Sequence, residues 1–166
     1  MHQAYGWKWH INIMKRPYFK KNKSDPKPLT GIVKRQIRFE EVDMLQIAWH
    51  GHFTSFFEDA RIQLGKQYGI GYMDLYEHGI LAPIKTVHID FIHPLRFMEE
   101  ITIEGILHYS QASRINSEYI IRNSDNKVAA TGFTVQMMLN PDYELFLTQP
   151  EYYQDFCDRW KAGKLS

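Results

Sequence analysis

Six side chains, Phe53, Phe56, Phe57, Ala60, Leu64 and Tyr68, follow one another at mostly three- and four-residue intervals. That spacing predicts a helix with a single apolar stripe, ended by Gly69. On both sides of it the period changes to two. Ile37 and Phe39 alternate with Gln36, Arg38 and Glu40 in a first strand predicted over 32–42. Val87, Ile89 and Phe91 alternate with His88 and Asp90 over 86–92, and Pro94 closes that run. Further strands are predicted over 101–109, 114–122 and 127–139. The last two are joined by the polar turn Asn123-Ser124-Asp125-Asn126. Pro150 suits the start of a second helix, with the stripe Tyr153, Phe156, Cys157 and Trp160. Gly69, Gly71 and Gly79 bracket a connection with room for a short helical turn.

The order is strand, long helix, four strands, short helix. One long helix among five strands cannot build a doubly wound parallel sheet, which needs alternating units. The pattern predicts an α+β domain in which an antiparallel sheet curls around one central helix. No internal repeat or low-complexity block interrupts it.

Composition narrows the classes. The 166 residues fit one domain with a sizeable core, and 44% hydrophobic with 23% charged residues is ordinary for a globular chain. The formal charge of +1 gives the chain no overall bias towards nucleic acid or a membrane surface. The single cysteine, Cys157, cannot form an internal disulfide or supply a Cys-based zinc site, and it suits a reducing cytoplasm. No run approaches the roughly 18 apolar residues of a membrane span. The first residues lack a clean apolar secretory region, and the final Gly-Lys-Leu-Ser is not a peroxisomal address.

Residues 1–30 stand apart. Lys8, Lys15, Arg16, Lys20, Lys21, Lys23 and Lys27 face one acid, Asp25, and three prolines interrupt any regular element. This segment is expected to be a flexible basic extension, with the domain proper over 31–166. It is either a solvated tail or a docking arm for an acidic partner such as an acyl carrier protein.

One stretch carries chemistry. It reads Arg38-Phe39-Glu40-Glu41-Val42-Asp43-Met44-Leu45-Gln46-Ile47-Ala48-Trp49-His50-Gly51-His52-Phe53, and the run Phe57-Glu58-Asp59-Ala60-Arg61 follows it on the helix. It resembles the 4-hydroxybenzoyl-CoA thioesterase family, the hotdog-fold acyl-CoA thioesterases. Their pattern is an aromatic strand end, an Asp, seven residues to an aromatic or His position, a small residue, and a helix with an F-E-x-A-R-like run. His93-Pro94-Leu95-Arg96-Phe97-Met98-Glu99-Glu100 is similar to the family's later R-P-x-R-F-x-D segment. The family often has Gly where Gln46 stands, and Asn or Ser followed by Tyr at the positions of His52 and Phe53. These departures bear on substrate preference. The resemblance implies a hotdog fold and a thioester hydrolase acting on acyl-CoA or acyl carrier protein. It also implies a homodimer or a tetramer of dimers, with the site between helix and partner.

A thioester hydrolase needs an activated water or nucleophile, and donors for the oxyanion. Asp43 is the candidate base or nucleophile; the alternative is a capping acid near the helix. The resemblance puts the amide of His50 on the thioester carbonyl, and Gly51 is expected beside it. Glu58 is a second candidate carboxylate, and an ion pair with Arg61 or Arg38 is its plainer role. Trp49, His52, Phe53 and Arg96 are candidates for substrate contacts, Arg96 for the CoA phosphates, as are Lys85 and Arg114. His50 and His52 with His88, Asp90 and His93 lack metal-ligand spacing, so no metal and no cofactor beyond the CoA of the substrate is expected. A non-catalytic acyl- or CoA-binding module on the same fold remains the competing reading. A hotdog dehydratase would carry a His-Phe-Pro-like motif, and His52-Phe53-Thr54 lacks the proline.

Overall fold

The structure is a computed structural model, and it describes residues 18–165. Five strands form one antiparallel sheet: β1 (Leu29–Gln36), β2 (Ile84–Phe91), β3 (Glu100–His108), β4 (Arg114–Arg122) and β5 (Val128–Met137). Their order across the sheet is β1-β3-β4-β5-β2. Three helices accompany them, α1 (Phe53–Tyr68), α2 (Tyr72–Glu77) and α3 (Glu151–Lys161). The first lies where its periodicity predicts, and Gly69 ends it in the left-handed conformation with φ 68°.

One face of the sheet holds α1. The stripe Phe53, Phe56, Phe57, Ala60 and Leu64 is buried, and the Phe57 ring stacks on Tyr119 of β4 at 4.2 Å. Around the first half of α1, Ile37, Leu95, Ile101, Ile103 and Ile121 complete one core cluster. Around the second half, Leu64 joins Ile70, Leu75, Leu107 and the buried face of α3 in another. The predicted α3 stripe of Tyr153, Phe156, Cys157 and Trp160 is buried throughout.

Two boundaries differ from the sequence pattern. The first strand ends at Gln36, and Phe39–Glu41 turns as a 3-10 helix. The chain turns while the alternation at Ile37 and Phe39 continues, because Glu41 folds back to accept the Arg38 N–H at 2.8 Å. Phe39 consequently lies 77% exposed, edge-on to Phe97, rather than in the core. The strand also starts earlier, at Leu29, inside the basic segment. There the Trp160 indole N–H donates to the Lys27 carbonyl at 2.8 Å. Tyr18 and Phe19 lie against Phe133, and the Tyr18 hydroxyl meets Thr131 Oγ1 at 2.9 Å. The residues of the basic segment before Tyr18, with Lys8, Lys15 and Arg16, fall outside the described part of the chain.

Candidate active site

The site is built on the loop between β1 and α1. An antiparallel bridge pairs Val42 with Ala48, the Asp43 N–H donates to the Ile47 carbonyl at 3.0 Å, and the Trp49 N–H donates to Glu41 at 2.8 Å. The loop is thus a closed hairpin. Asp43 follows the bridge on one arm, and His50 comes two residues after it on the other. A second bridge, Ile47 to Arg96, and the Ala48 N–H to Leu95 carbonyl bond at 2.8 Å fasten this hairpin to the 93–100 segment. The two stretches that carry the family resemblance therefore form one structural unit, anchored by fully buried Leu95.

Asp43 is half-buried. Its Oδ1 accepts the Leu45 N–H at 2.8 Å, and Oδ2 has no partner among the described residues. Asp43 does not cap α1; it closes its own turn with one oxygen. Gln46 at the turn has φ 58°, the left-handed conformation that favours glycine.

His50–His52 form a 3-10 turn leading directly into α1, and no side chain caps the helix start. Among the described backbone hydrogen bonds, no carbonyl accepts the His50 or Gly51 N–H. Two free donors at the positive end of a helix suit a developing oxyanion. The Trp49 indole folds over Gly51: a Cβ there would stand 2.0 Å from the ring. The same ring is 4.9 Å from that of His50 and 5.5 Å from that of His52. Only glycine keeps the amide and the indole in this arrangement. Phe53 is buried against Phe56 and Phe91, so it is a core residue at the floor of the site.

Glu58 lies further along α1. Its carboxylate pairs with Arg61, and the Arg61 guanidinium stands 5.1 Å over the Tyr72 ring. Partial burial first, and then the Glu58 carboxylate beside it, push the Tyr72 phenol well above its usual range. The ion pair with Arg61 expected for Glu58 is present.

Arg96 is exposed, and its backbone is bridged to the site hairpin; its guanidinium makes no ion pair among the described residues. Lys85 and Arg114 begin β2 and β4, at the end of the sheet opposite the start of α1. His88 pairs with Asp90 at 3.0 Å on the outer face of the sheet, and His93 Nδ1 faces the Val128 carbonyl at 2.9 Å. Among the described residues no three His, Cys, Asp or Glu side chains converge as a metal site, and no helix is long and apolar enough to cross a membrane.

Sequence reasoning missed Arg35. It reaches buried Glu41 on the hairpin and Asp59 on α1, the latter at 2.8 Å, and lies over the Phe56 ring. It ties β1, the hairpin and the helix together. Nothing in the local pattern marks it, because its partners lie six and 24 residues away.

The fold defines the class. The structure matches a DHNA-CoA thioesterase from Staphylococcus aureus with a TM-score of 0.72 at 22% identity, covering 81% of this chain and 91% of that one. It matches a 1,4-dihydroxy-2-naphthoyl-CoA thioesterase from Synechocystis with a TM-score of 0.69 at 16% identity, covering 78% and 96%. The architecture is the hotdog fold. The family profile of the thioesterase-like superfamily matches residues 37–144, and the chain belongs to that superfamily. YneP of Bacillus subtilis (strain 168), named as a candidate acyl-CoA thioesterase, is 30% identical over 64 residues, 39% of this chain and 46% of that protein. The aligned part is thus just under half the length of that relative.

Proposed function

We propose that this protein hydrolyses acyl thioesters of CoA to the free acid and the thiol, in the manner of the 4-hydroxybenzoyl-CoA thioesterase group. The observation that carries the reading is that one bridged hairpin holds both Asp43, with one carboxylate oxygen open, and the His50 and Gly51 amides, which find no acceptor among the described backbone hydrogen bonds. Asp43 takes a proton from water as the water attacks the thioester carbon. The two amides hold the carbonyl oxygen as its charge develops, helped by the dipole of α1. Collapse expels the thiolate, whose ordinary pKa of about 8.5 makes it a leaving group that needs no strong acid. Arg61 pairs with Glu58, and this reading gives the base role to Asp43. Trp49 and His52 border the thioester, and Arg96 meets the CoA phosphates from the attached segment. No metal and no cofactor beyond the CoA of the substrate enters this scheme. The buried thiol of Cys157 suits a cytoplasmic protein.

A second copy is placed along β2. Among the described residues this outermost strand pairs on one side only, and Ile84, Val87 and Phe91 lie about half exposed on it. Such an edge calls for cover, and pairing two sheets into one supplies it as a homodimer or a pair of dimers. Light scattering at micromolar concentration is expected to give a dimer or larger, and a monomer contradicts this arrangement.

The testing experiment measures free thiol released from a panel of aliphatic and aromatic acyl-CoA esters and acyl carrier protein esters. CoA esters are expected to be hydrolysed. Release from carrier-protein esters alone moves the substrate to that class. No release from any ester favours the binding-module reading.

A further inference from the structure

A cavity of about 270 Å³ lies beside the second half of α1, between that helix, α2 and the sheet. Its floor is apolar and buried: Leu64, Ile70, Leu75, Leu107 and Ile115. Lys66 and Asp74 sit among its lining and offset each other in charge. A smaller hollow of about 70 Å³ lies nearer the helix start, lined by Thr54, Phe57 and Glu58 and by β2 and β5 side chains. Arg61 lines both. Gly51, Thr54, Glu58, Arg61 and Gly65 recur at alternating three- and four-residue steps, so they share one helix face. That face runs from the free amides to the cavity.

We propose that the cavity receives the far end of an aliphatic acyl chain, and that Arg61 selects chains carrying an uncharged oxygen, a hydroxyl or ketone, at that depth. This rests on the thioesterase reading and names the substrate class of the same site. Two observations carry it. The first is length: Arg61 lies ten residues along α1 from Gly51, or ~15 Å at ~1.5 Å per residue. A benzoyl or naphthoyl group held at the amides falls short of that depth, and a medium-length aliphatic chain reaches it. The second is chemistry. Arg61 Nε is sealed from solvent and has no hydrogen-bond partner among the described residues, the one such atom among those lining the cavity. A buried donor without an acceptor is costly, and a ligand oxygen removes the cost. The guanidinium charge is already met by Glu58, so the oxygen that fits is neutral.

The test separates binding from turnover. Binding of dodecanoate and ω-hydroxydodecanoate is measured by calorimetry on the full chain, wild type, Arg61→Met and Ile62→Trp. Ile62 lines the cavity from the surface side of α1, so a larger side chain there fills space without entering the core. The wild type is expected to prefer the hydroxy acid by about 10-fold. Arg61→Met is expected to abolish the preference, and Ile62→Trp to weaken both acids. In parallel, Ile62→Trp should lower kcat/KM for dodecanoyl-CoA and leave butanoyl-CoA unchanged. Equal binding of the two acids in wild type overturns the role of Arg61. Absence of any binding, with benzoyl-CoA still hydrolysed, overturns the cavity and leaves the thioesterase reading standing. Selective binding with no thioester turned over does the reverse. Should Arg61→Met fail to fold, the wild-type preference and Ile62→Trp still decide.

Discussion

The two ends of α1 are built to opposite purposes. At the C-terminal end, Gly69 closes the helix with its N–H on the Gly65 carbonyl, and Ile70 N–H shares that acceptor. Tyr152 donates to the Gly69 carbonyl at 2.7 Å, and Leu64, Ile70, Leu75 and α3 bury the surroundings. At the N-terminal end no side chain caps the helix, two amides are untaken, and Met44, Leu45 and Trp49 are exposed. A helix end that only has to be stable is closed in the first way. A helix end left open keeps its donors and its dipole for a ligand. The difference teaches where to look for chemistry in this fold, and Arg35 shows how the open end is held: from behind, by ion pairs to the hairpin and the helix.

Substitutions can break this contrast. The largest effect is expected at the closed end. Phe156→Ala removes a fully buried ring of α3 and should lower stability by about 4 kcal/mol in denaturant unfolding. The kcat of the remaining folded protein should stay near wild type. At the open end, Gly51→Ala sets a Cβ against the Trp49 ring. Because that ring lies at the surface and can swing aside, stability should barely change, while kcat/KM falls about 10-fold through the displaced indole beside the thioester. The smallest effect is a gain. Gln46→Gly relieves a left-handed non-glycine residue and should raise stability by about 0.5 kcal/mol, seen as a small upward shift in Tm.

The closed end was legible in the sequence, and the open end only partly so. The α1 and α3 stripes and the terminating Gly69 are local patterns, and each element appears where its period places it. The first strand was drawn too long because Ile37 and Phe39 keep a two-residue alternation after the chain has turned. That turn depends on Glu41, which reads as a solvated acid and is buried by Arg35. Ion pairs across folded elements leave no periodic trace, and neither does the meeting of Arg61 with Tyr72, which needs α2 packed beside α1. Motif resemblance alone marks Asp43, His50 and Gly51. Composition and periodicity by themselves mark that stretch as an irregular loop.

Two carboxylates, Asp43 and Glu58, compete for the base role, and comparing Asp43→Asn with Glu58→Gln decides between them. Thiol release is followed for both variants and wild type on the best acyl-CoA ester, with stability measured alongside. The account predicts that Asp43→Asn lowers kcat by at least about 10²-fold with folding intact, and that Glu58→Gln lowers it by less than about 10-fold. A larger loss in Glu58→Gln than in Asp43→Asn contradicts it and moves the chemistry along the helix, away from the bridged hairpin.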